Sequence, residues 1–264
     1  MTDPIRFTVE DGMARLTLNR PQRLNAFDAE LAHAWAEATE EATRREDVGA
    51  ILIDAEGPSF CAGGDVIAMS QGVGGGADVT ALAGTINRGI RALTESAVPV
   101  VAAAHGSTAG GGLGILLCSD YAIVGSGSRI GSLYANIGLT PDLSVSAQLA
   151  AAVGERRALQ LVLQDRLLSA EEAREWGLVA EVVAGEDAES QAAAVRARAE
   201  EVARFWLAGA HGAYGHAKRL VRSRPTRTFA EQLDEEARTI GAAFDGEEAK
   251  TRVAAFAARS SRRA

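Results

Sequence analysis

The sequence of 264 residues has little cysteine and no long apolar run. Two cysteines, Cys61 and Cys118, are too few for a disulfide framework or a four-cysteine metal site, so a reducing compartment is expected. The longest apolar stretch, near Ala97–Ala104, is far shorter than a membrane-spanning helix. No basic segment followed by an apolar run opens the chain, so no signal peptide is predicted. These absences favour a cytoplasmic protein without a membrane partner.

Positive charge is also in the minority. The chain has 27 basic and 35 acidic residues and a net charge of −8, which argues against a nucleic-acid partner. Basic residues do gather near the C-terminus, where they form either a solvated helix face or a patch for a phosphorylated small molecule. They are Lys218, Arg219, Arg222, Arg224 and Arg227. The four histidines are scattered, so no metal site is predicted.

Several catalytic motifs are missing as well. The chain has no Gly-x-x-x-x-Gly-Lys-Ser/Thr phosphate loop, no Gly-x-Ser-x-Gly nucleophile elbow and no His-Glu-x-x-His zinc motif. The run Gly110–Gly114 superficially suggests a dinucleotide loop. The third glycine of that fingerprint and the acidic residue after a second strand are absent, however, so this reading is disfavoured.

What the sequence does contain is an alternation of strands and helices. Ile5–Asn19 predicts a β-hairpin that turns at Asp11-Gly12, and Asp28 is expected to cap the helix that follows. Ser169–Glu172 is a capping box at the start of a later helix. Four short apolar runs predict strands. They are Val48–Asp54, Val98–Ala104, Tyr121–Val124 and Arg129–Gly131.

The last third of the chain has a different pattern. From Asp187 onward nearly every segment is helical, with Pro225 as the main break. The fold class is therefore α/β with an α-helical C-terminal part. The glycine-rich stretch Gln71–Ala77 is interpreted as a loop.

Two glycine-rich turns each follow a predicted buried strand: Ala62-Gly63-Gly64-Asp65 and Gly110-Gly111-Gly112. Glycine lets a backbone approach its neighbours closely, and the first N–H groups of a helix are unpaired. Two such donors that point at one oxygen would form an oxyanion hole. The alternative is a pair of ordinary strand–helix turns, and the spacing alone does not decide between the two.

Several short motifs stand in a fixed order along most of the chain. They are Leu18–Pro21 with Leu24–Ala26, Phe60–Asp65, Pro99–Gly106 with Ala109–Asp120, Ile137–Asp142, Leu168–Ala173 and Trp176–Val179. In residue identity and order these motifs resemble those of the enoyl-CoA hydratase/isomerase family, also called the crotonase superfamily. Each motif alone is weak, whereas the whole set is specific.

The resemblance implies a crotonase-like spiral of β-β-α turns over residues 1–195 and an α-helical trimerisation region over 196–264. It implies that the amides of Gly64 and Gly111 hold the oxygen of an acyl-CoA thioester. It also implies a homotrimer or a dimer of trimers, no permanently bound cofactor, and a coenzyme A thioester as substrate. The residues implied to bind the substrate or its coenzyme A part are Arg23, Leu24, Ala26, Ala62, Gly63, Asp65, Val66 and Gly110.

Two acidic residues that hydratases need are absent from this chain, and a third acidic residue, Asp142, is present; together they indicate the reaction. Hydratases of this family use two glutamates around one water, and these would fall at Gly114 and Tyr134. Asp142 remains, at a position that resembles the acidic residue of the 1,2-epoxyphenylacetyl-CoA isomerase group. It also resembles the nucleophilic aspartate of 4-chlorobenzoyl-CoA dehalogenases. One carboxylate suffices to shift a double bond, since it can take a proton from C2 and return it to C4.

Other assignments stay open at this point. Asp142 could instead cap a helix that begins near Ser144, and Asn87 could contact substrate or lie on a helix surface. Asn87 stands where the dehalogenases carry a histidine base, so dehalogenation is disfavoured. Tyr134 is interpreted as lining the acyl pocket or packing beneath it, and Cys61 as packing.

The favoured function is an enoyl-CoA isomerase. One alternative is a hydratase or acyl-CoA hydrolase that uses Asp142 and an ordered water. The other alternative is a family member that binds acyl-CoA without turnover.

Overall fold

The computed structural model describes residues 3–72, 75–164 and 166–261 of the chain. Nine strands form two sheets within these residues. In chain order the strands are β1 (Ile5–Glu10), β2 (Met13–Leu18), β3 (Ala50–Ala55), β4 (Val100–Ala104), β5 (Ser107–Ala109), β6 (Tyr121–Gly125), β7 (Arg129–Gly131), β8 (Leu168–Ser169) and β9 (Glu181–Val183). The larger sheet has the order β1-β2-β3-β4-β6-β9 and the smaller one β5-β7-β8. In the larger sheet, β1 and β2 are antiparallel and the other pairs are parallel.

Helices cover these sheets and form the last part of the chain. They are α1 (Ala29–Arg44), α2 (Val66–Gly72), α3 (Gly76–Glu95), α4 (Gly111–Leu117), α5 (Val145–Val153), α6 (Glu155–Val162), α7 (Ala170–Glu175), α8 (Ala188–Ala208), α9 (His211–Ser223), α10 (Phe229–Asp245) and α11 (Glu247–Ser261). Short 3₁₀ turns occupy Pro21–Arg23, Tyr134–Ile137 and Arg224–Thr226. Within the described residues, no helix combines the length and the apolar character needed to cross a bilayer.

The local signals predicted from the sequence are confirmed. The hairpin β1–β2 turns at Asp11 and Gly12, both with positive φ, which suits the right-handed twist of the two strands. The Asp28 carboxylate accepts a hydrogen bond from the Leu31 amide at 2.9 Å and caps α1. The predicted capping box is formed at the start of α7.

The inner strands β2, β3, β4 and β6 of the larger sheet are buried on both faces. On β3, Ile51 and Ile53 belong to the core that contains Trp35 of α1, whereas Leu52 belongs to the core on the opposite face. Side chains alternate along a strand, so the continuous apolar run of β3 supplies both layers. Val195 of α8 helps to close the second layer.

The division predicted between residues 195 and 196 lies inside α8. The buried face of this helix, from Gln191 to Ala203, packs against β3, β4 and β6 of the larger sheet. By its contacts, all of α8 therefore lies with the core. The helices that follow the core are α9, α10 and α11.

Two of the basic residues near the C-terminus are used inside the chain. Lys218 of α9 is buried, and its ammonium donates to the carbonyls of Leu93 and Val98 at 2.6 Å each. The same ammonium lies 3.1 Å from the Asp120 carboxylate, to which Arg222 also donates at 3.0 Å. Lys218 and Arg222 therefore form neither a solvated helix face nor a free phosphate patch, because they dock α9 onto the core.

The stretch Gln71–Ala77 contains less loop than its glycine content predicts. Helix α2 extends to Gly72 and α3 begins at Gly76. Residues 73 and 74, at the centre of the predicted loop, lie outside the described residues.

Candidate active site

The two glycine-rich turns meet in the fold. The Ala109 amide donates to the Cys61 carbonyl oxygen at 3.0 Å, and this isolated β-bridge joins the end of β5 to the segment that precedes the first turn. A Cβ atom on Gly112 would overlap that same oxygen, so only glycine fits there. A Cβ atom on Gly63 would lie 3.3 Å from the Gly111 amide nitrogen. The first turn and the start of α4 are therefore in direct contact.

The amides of Gly64 and Gly111 are free of main-chain partners in the described part of the chain. Gly111 is the first residue of α4, where an intrahelical acceptor is lacking. Gly64 lies in a β-bridge with Phe27, but the two hydrogen bonds of that bridge use the Gly63 carbonyl and the Asp65 amide. Two unpaired donors on adjacent turns are what an oxyanion hole requires.

The two segments implied to bind coenzyme A lie side by side. The Ala62 amide donates to the Leu24 carbonyl at 3.0 Å. Arg23 donates through two nitrogens to the carboxylate of Asp65, at 3.1 and 3.2 Å. Burial acts to raise the pKa of Asp65, but the Ala68 amide and the Arg23 guanidinium outweigh it and hold the pKa below its usual range. This ion pair fixes the two segments to each other.

The other residues of these segments differ in exposure. Leu24 and Val66 are 43% and 48% exposed, so both present apolar surface to solvent. Ala26 is buried. Gly110 immediately precedes α4, and its amide donates to the Gly131 carbonyl at 3.1 Å. The Gly110 amide is therefore occupied, unlike that of its neighbour in sequence.

Asp142 forms a hydrogen-bonded pair with Tyr134. The buried phenol donates to Oδ1 of the half-buried carboxylate at 2.6 Å. Burial raises the pKa of Asp142, and the hydrogen bond from Tyr134 only partly opposes this. Burial and the neighbouring carboxylate raise the pKa of Tyr134 strongly, so the phenol stays protonated and acts as a donor. The carboxylate is thus the member of the pair that can gain and lose a proton.

The interpretation of Asp142 as a helix cap is wrong. Helix α5 begins at Val145, and its N-cap residue is Ser144, whose side chain makes no capping hydrogen bond. Asp142 supplies only its main-chain carbonyl, which accepts from the Val145 amide at 2.9 Å. Its carboxylate points instead to Tyr134.

Leu143 connects Asp142 to the glycine turns. Leu143 and Ser144 have left-handed backbones with φ of 48° and 68°, a conformation that costs roughly 1–2 kcal/mol for a residue with a Cβ atom. A Cβ atom on Gly111 would lie 2.8 Å from Leu143 Cδ1, and one on Gly114 would overlap the Leu143 carbonyl oxygen. The residue after Asp142 therefore packs on α4, and position 114 is closed to any side chain.

Asn87 and Cys61 are the two remaining candidate residues. Asn87 is half-buried on α3, and no hydrogen bond joins it to Asp142 or Tyr134 among the described residues. Cys61 is fully buried, and burial raises the pKa of its thiol to about 12. A protonated, inaccessible thiol is a poor nucleophile, so the prediction that Cys61 serves packing is confirmed.

Sequence reasoning missed the pairing of Tyr134 with Asp142. The two residues are eight positions apart, and they meet because the chain reverses between them, not because they share one face of a helix or strand. The chain reverses through the 3₁₀ turn at Tyr134–Ile137, which ends at Gly138 with a φ of 73°. Gly138 and Pro141 are local signals of a turn, but neither identifies the partners.

Comparison with known proteins bears on this arrangement. The model of the family described as enoyl-CoA hydratase/isomerase matches residues 8–262. The 1,2-epoxyphenylacetyl-CoA isomerase of Escherichia coli is 32% identical over 228 residues, which cover 86% of this chain and 84% of that protein. The trans-2-decenoyl-(acyl-carrier-protein) isomerase of Streptococcus mutans is 34% identical over 181 residues, which cover 67% and 68% of the two chains.

A solved structure shows the same similarity in three dimensions. The crystal structure of an enoyl-CoA hydratase from Polaromonas has a TM-score of 0.87 to this chain at 26% identity. The match covers 97% of each chain, so it includes both sheets and the C-terminal helices.

Proposed function

The chain belongs to the enoyl-CoA hydratase/isomerase family, and from this premise we propose that it moves the double bond of an enoyl-CoA into conjugation with the thioester. The substrate is a 3-enoyl-CoA or a ring-type enoyl-CoA. Asp142 is the proton-transfer group, and the amides of Gly64 and Gly111 hold the thioester oxygen. The observation that carries the proposal is the position of Asp142. Asp142 has a half-buried carboxylate and directly precedes Leu143. Leu143 packs on the turn that presents the Gly111 amide.

One carboxylate completes the reaction in two steps. The Asp142 carboxylate takes a proton from C2, and the electrons of that C–H bond move into the thioester carbonyl to form a dienolate. The neutral Asp142 then returns the proton to C4, so the double bond comes to lie between C2 and C3. No atom is gained or lost, and Asp142 ends as a carboxylate.

The two amides make the first step possible. A proton beside a thioester is a poor acid until the negative charge on the oxygen is stabilised. Each donor of this kind contributes about 3–4 kcal/mol to the transition state in other enzymes. Gly64 and Gly111 supply two main-chain donors that make no competing hydrogen bond to a main-chain carbonyl in the described residues.

The coenzyme A part is proposed to lie along the two paired segments that contain Arg23 and Asp65. Arg23 uses Nε and Nη2 on Asp65 and has further donors for a phosphate. Its side chain is 37% exposed, so a ligand can reach it. Leu24 and Val66 add exposed apolar surface beside it.

Hydration is disfavoured by the two positions at which the hydratase glutamates would fall, Gly114 and Tyr134. A glutamate at position 114 would collide with the Leu143 carbonyl, and the raised pKa of Tyr134 makes that residue a poor base at the second position. Relatives with isomerase and with hydratase names both resemble the chain, so water addition belongs in the test. A protein that binds acyl-CoA without turnover is the remaining alternative.

The test is turnover of a panel of 3-enoyl-CoA, ring-type enoyl-CoA and 2-enoyl-CoA thioesters by the wild type and by Asp142→Asn. Asparagine keeps the size of the side chain and an acceptor for the Tyr134 hydroxyl but cannot take a proton. We expect isomerisation by the wild type and a loss of about 10²–10⁴-fold in kcat for the variant.

The matched control is Asp47→Asn, because Asp47 is 61% exposed and pairs only with Arg45 among the described residues. This change should leave turnover intact. Isomerase activity that survives Asp142→Asn would remove the proposed mechanism. Water addition to 2-enoyl-CoA as the faster reaction would favour a hydratase, and tight binding without any turnover would favour a binding protein.

A further inference from the structure

The turn that follows Asp142 is held by residues from elsewhere in the chain. Leu143 and Ser144 both have left-handed backbones, which residues with a Cβ atom rarely adopt. Such a conformation persists only where surrounding contacts fix it. Because Asp142 directly precedes these two residues, a relaxation of the turn would move its carboxylate.

A chain of hydrogen bonds reaches this turn from α9. Gln148 of α5 donates through Nε2 to Ser144 Oγ at 2.6 Å. Arg222 of α9 donates through Nη1 to Gln148 Oε1 at 2.7 Å and through Nε to Asp120 Oδ1 at 3.0 Å. We call these four residues the Ser144 relay.

The chemistry of the side chains fixes the direction of the relay. Arginine has only donors, so Gln148 turns its carbonyl oxygen towards Arg222 and its amide nitrogen towards Ser144. The far end of the relay is anchored, since Asp120 also accepts from the Val100 amide at 2.9 Å and pairs with the buried Lys218. The relay thus connects the last turn of α9 to Ser144, the residue two positions after Asp142.

We propose that Gln148 and Arg222 are positioning residues that hold the Leu143–Ser144 turn and thereby set the place of the Asp142 carboxylate. The inference rests on the proposed function, because it takes Asp142 as the proton-transfer group. Proton transfer depends on geometry, and a misplacement of about 1 Å can cost about a hundredfold in rate. None of the hydrogen bonds of the relay involves the segments proposed to bind coenzyme A. We therefore expect kcat to change and KM to stay.

The first experiment removes the relay and then rebuilds it at Gln148. In Gln148→Leu both hydrogen bonds are lost at similar side-chain volume, and kcat for a 3-enoyl-CoA is expected to fall about tenfold with KM within about twofold. In Gln148→Glu the carboxylate accepts from Arg222 and from the Ser144 hydroxyl, so kcat should stay near that of the wild type. Gln160→Leu, at an exposed position on α6, is the matched control and should change neither constant.

The second experiment separates positioning from general stability. Glycine adopts a positive φ without steric cost. Adding Ser144→Gly to Gln148→Leu should therefore restore most of the lost kcat. Thermal unfolding of every variant is measured in parallel, because a purely structural role would lower Tm and leave the kcat of the double variant low. If Gln148→Leu does not fold, Ser144→Ala removes the acceptor of the same hydrogen bond and is expected to lower kcat equally.

Two results would contradict the positioning role of the relay. One is a kcat that is unchanged in both Gln148→Leu and Ser144→Ala, and the other is a loss of kcat that glycine at position 144 does not restore. Either can occur while Asp142→Asn still abolishes isomerisation, in which case the proposed function stands. Activity that survives Asp142→Asn is the separate failure of the proposed function, whatever the Gln148 variants do.

Discussion

At the scale of single residues, Asp142 experiences two opposed influences. Burial raises the pKa of its carboxyl, and the hydroxyl of Tyr134, 2.6 Å away, lowers it by stabilising the ionised form. A base acts only when it is ionised. Isomerase activity is therefore expected to rise with pH as Asp142 loses its proton.

Tyr134→Phe tests this balance. Removal of the hydroxyl takes away the main group that opposes burial, so the pKa of Asp142 rises further and the acid limb of the kcat/KM profile moves to higher pH. On that limb kcat/KM should fall about tenfold, because a hydrogen bond to a charged group is worth about 1.5–3 kcal/mol. Tyr121→Phe is the matched control, since Tyr121 donates to the Glu181 carboxylate at 2.7 Å between β6 and β9. An acid limb that stays in place in Tyr134→Phe would contradict the role of the phenol.

Gly114 is the residue that decides how closely the Asp142 turn approaches α4. In Gly114→Ala the new methyl group would overlap the Leu143 carbonyl oxygen, so the turn must shift. We expect the free energy of unfolding to fall by about 1–3 kcal/mol and kcat to fall with it. Urea denaturation and steady-state turnover measure the two effects.

The matched control for that prediction is Gly84→Ala, within α3. No atom lies within 4 Å of a Cβ atom placed there, so alanine should raise the free energy of unfolding by up to about 1 kcal/mol. A Gly114→Ala protein as stable and active as the wild type would show that the contact with Leu143 is dispensable.

At the scale of elements, most helices and strands lie where sequence periodicity and turn chemistry place them. The structure departs from the expected start of α5, a helix near Ser144 capped by Asp142. Ser144 instead lies outside the helix in a left-handed conformation. The physical reason is the packing of Leu143 on Gly111 and Gly114, which bends the chain before α5 can begin. No feature of the local sequence encodes that contact.

The docking of α9 is the second departure at this scale. Lys218 is one of the five basic residues clustered at positions 218–227, and only the fold identifies it as the buried one among them. Burial lowers the pKa of Lys218, and the charge is tolerated because Asp120 and the carbonyls of Leu93 and Val98 surround the ammonium.

Lys218→Ala is expected to lower the free energy of unfolding by about 3–5 kcal/mol, since the change leaves buried acceptors without a partner. Lys250→Ala on α11 is the control. Lys250 is 54% exposed and pairs with Glu247 one turn away, so its loss should cost less than about 1 kcal/mol. Chemical denaturation gives both values, and equal losses in the two variants would contradict the docking role of Lys218.

At the scale of the whole molecule, the C-terminal helices expose large apolar side chains. On α10 and α11, Phe229, Ile240 and Phe256 are 79%, 72% and 67% exposed. Single exposed apolar residues are ordinary, but several large ones on two consecutive helices favour an interaction surface there. The trimer or dimer of trimers implied by the family resemblance remains a prediction that this surface supports.

Light scattering coupled to size-exclusion chromatography tests this prediction. We expect a mass three or six times that of one chain, reduced by Ile240→Glu combined with Phe244→Glu, because burial of two charges in an apolar interface is unfavourable. Ile137→Glu, at an exposed position of the 3₁₀ turn near the candidate site, should leave the mass unchanged. A single-chain mass across a wide concentration range would contradict the prediction.

The crotonase-like fold expected from the sequence motifs is confirmed by the family match over residues 8–262 and by structural similarity along nearly the whole chain. The sequence by itself determined the β1–β2 hairpin, the capped helices, the two glycine turns and the presence of Asp142 without acids at positions 114 and 134. These features follow from residue type and from neighbours within about one helical turn, so a linear pattern records them.

Only the tertiary structure decided three features. It paired Tyr134 with Asp142, closed position 114 with Leu143, and joined Ser144 to Arg222 through Gln148. Each depends on how successive turns of the spiral and the C-terminal helices stack against one another. That stacking results from burial of apolar surface across the whole chain, and burial is not directional, so no short segment specifies which polar groups will meet.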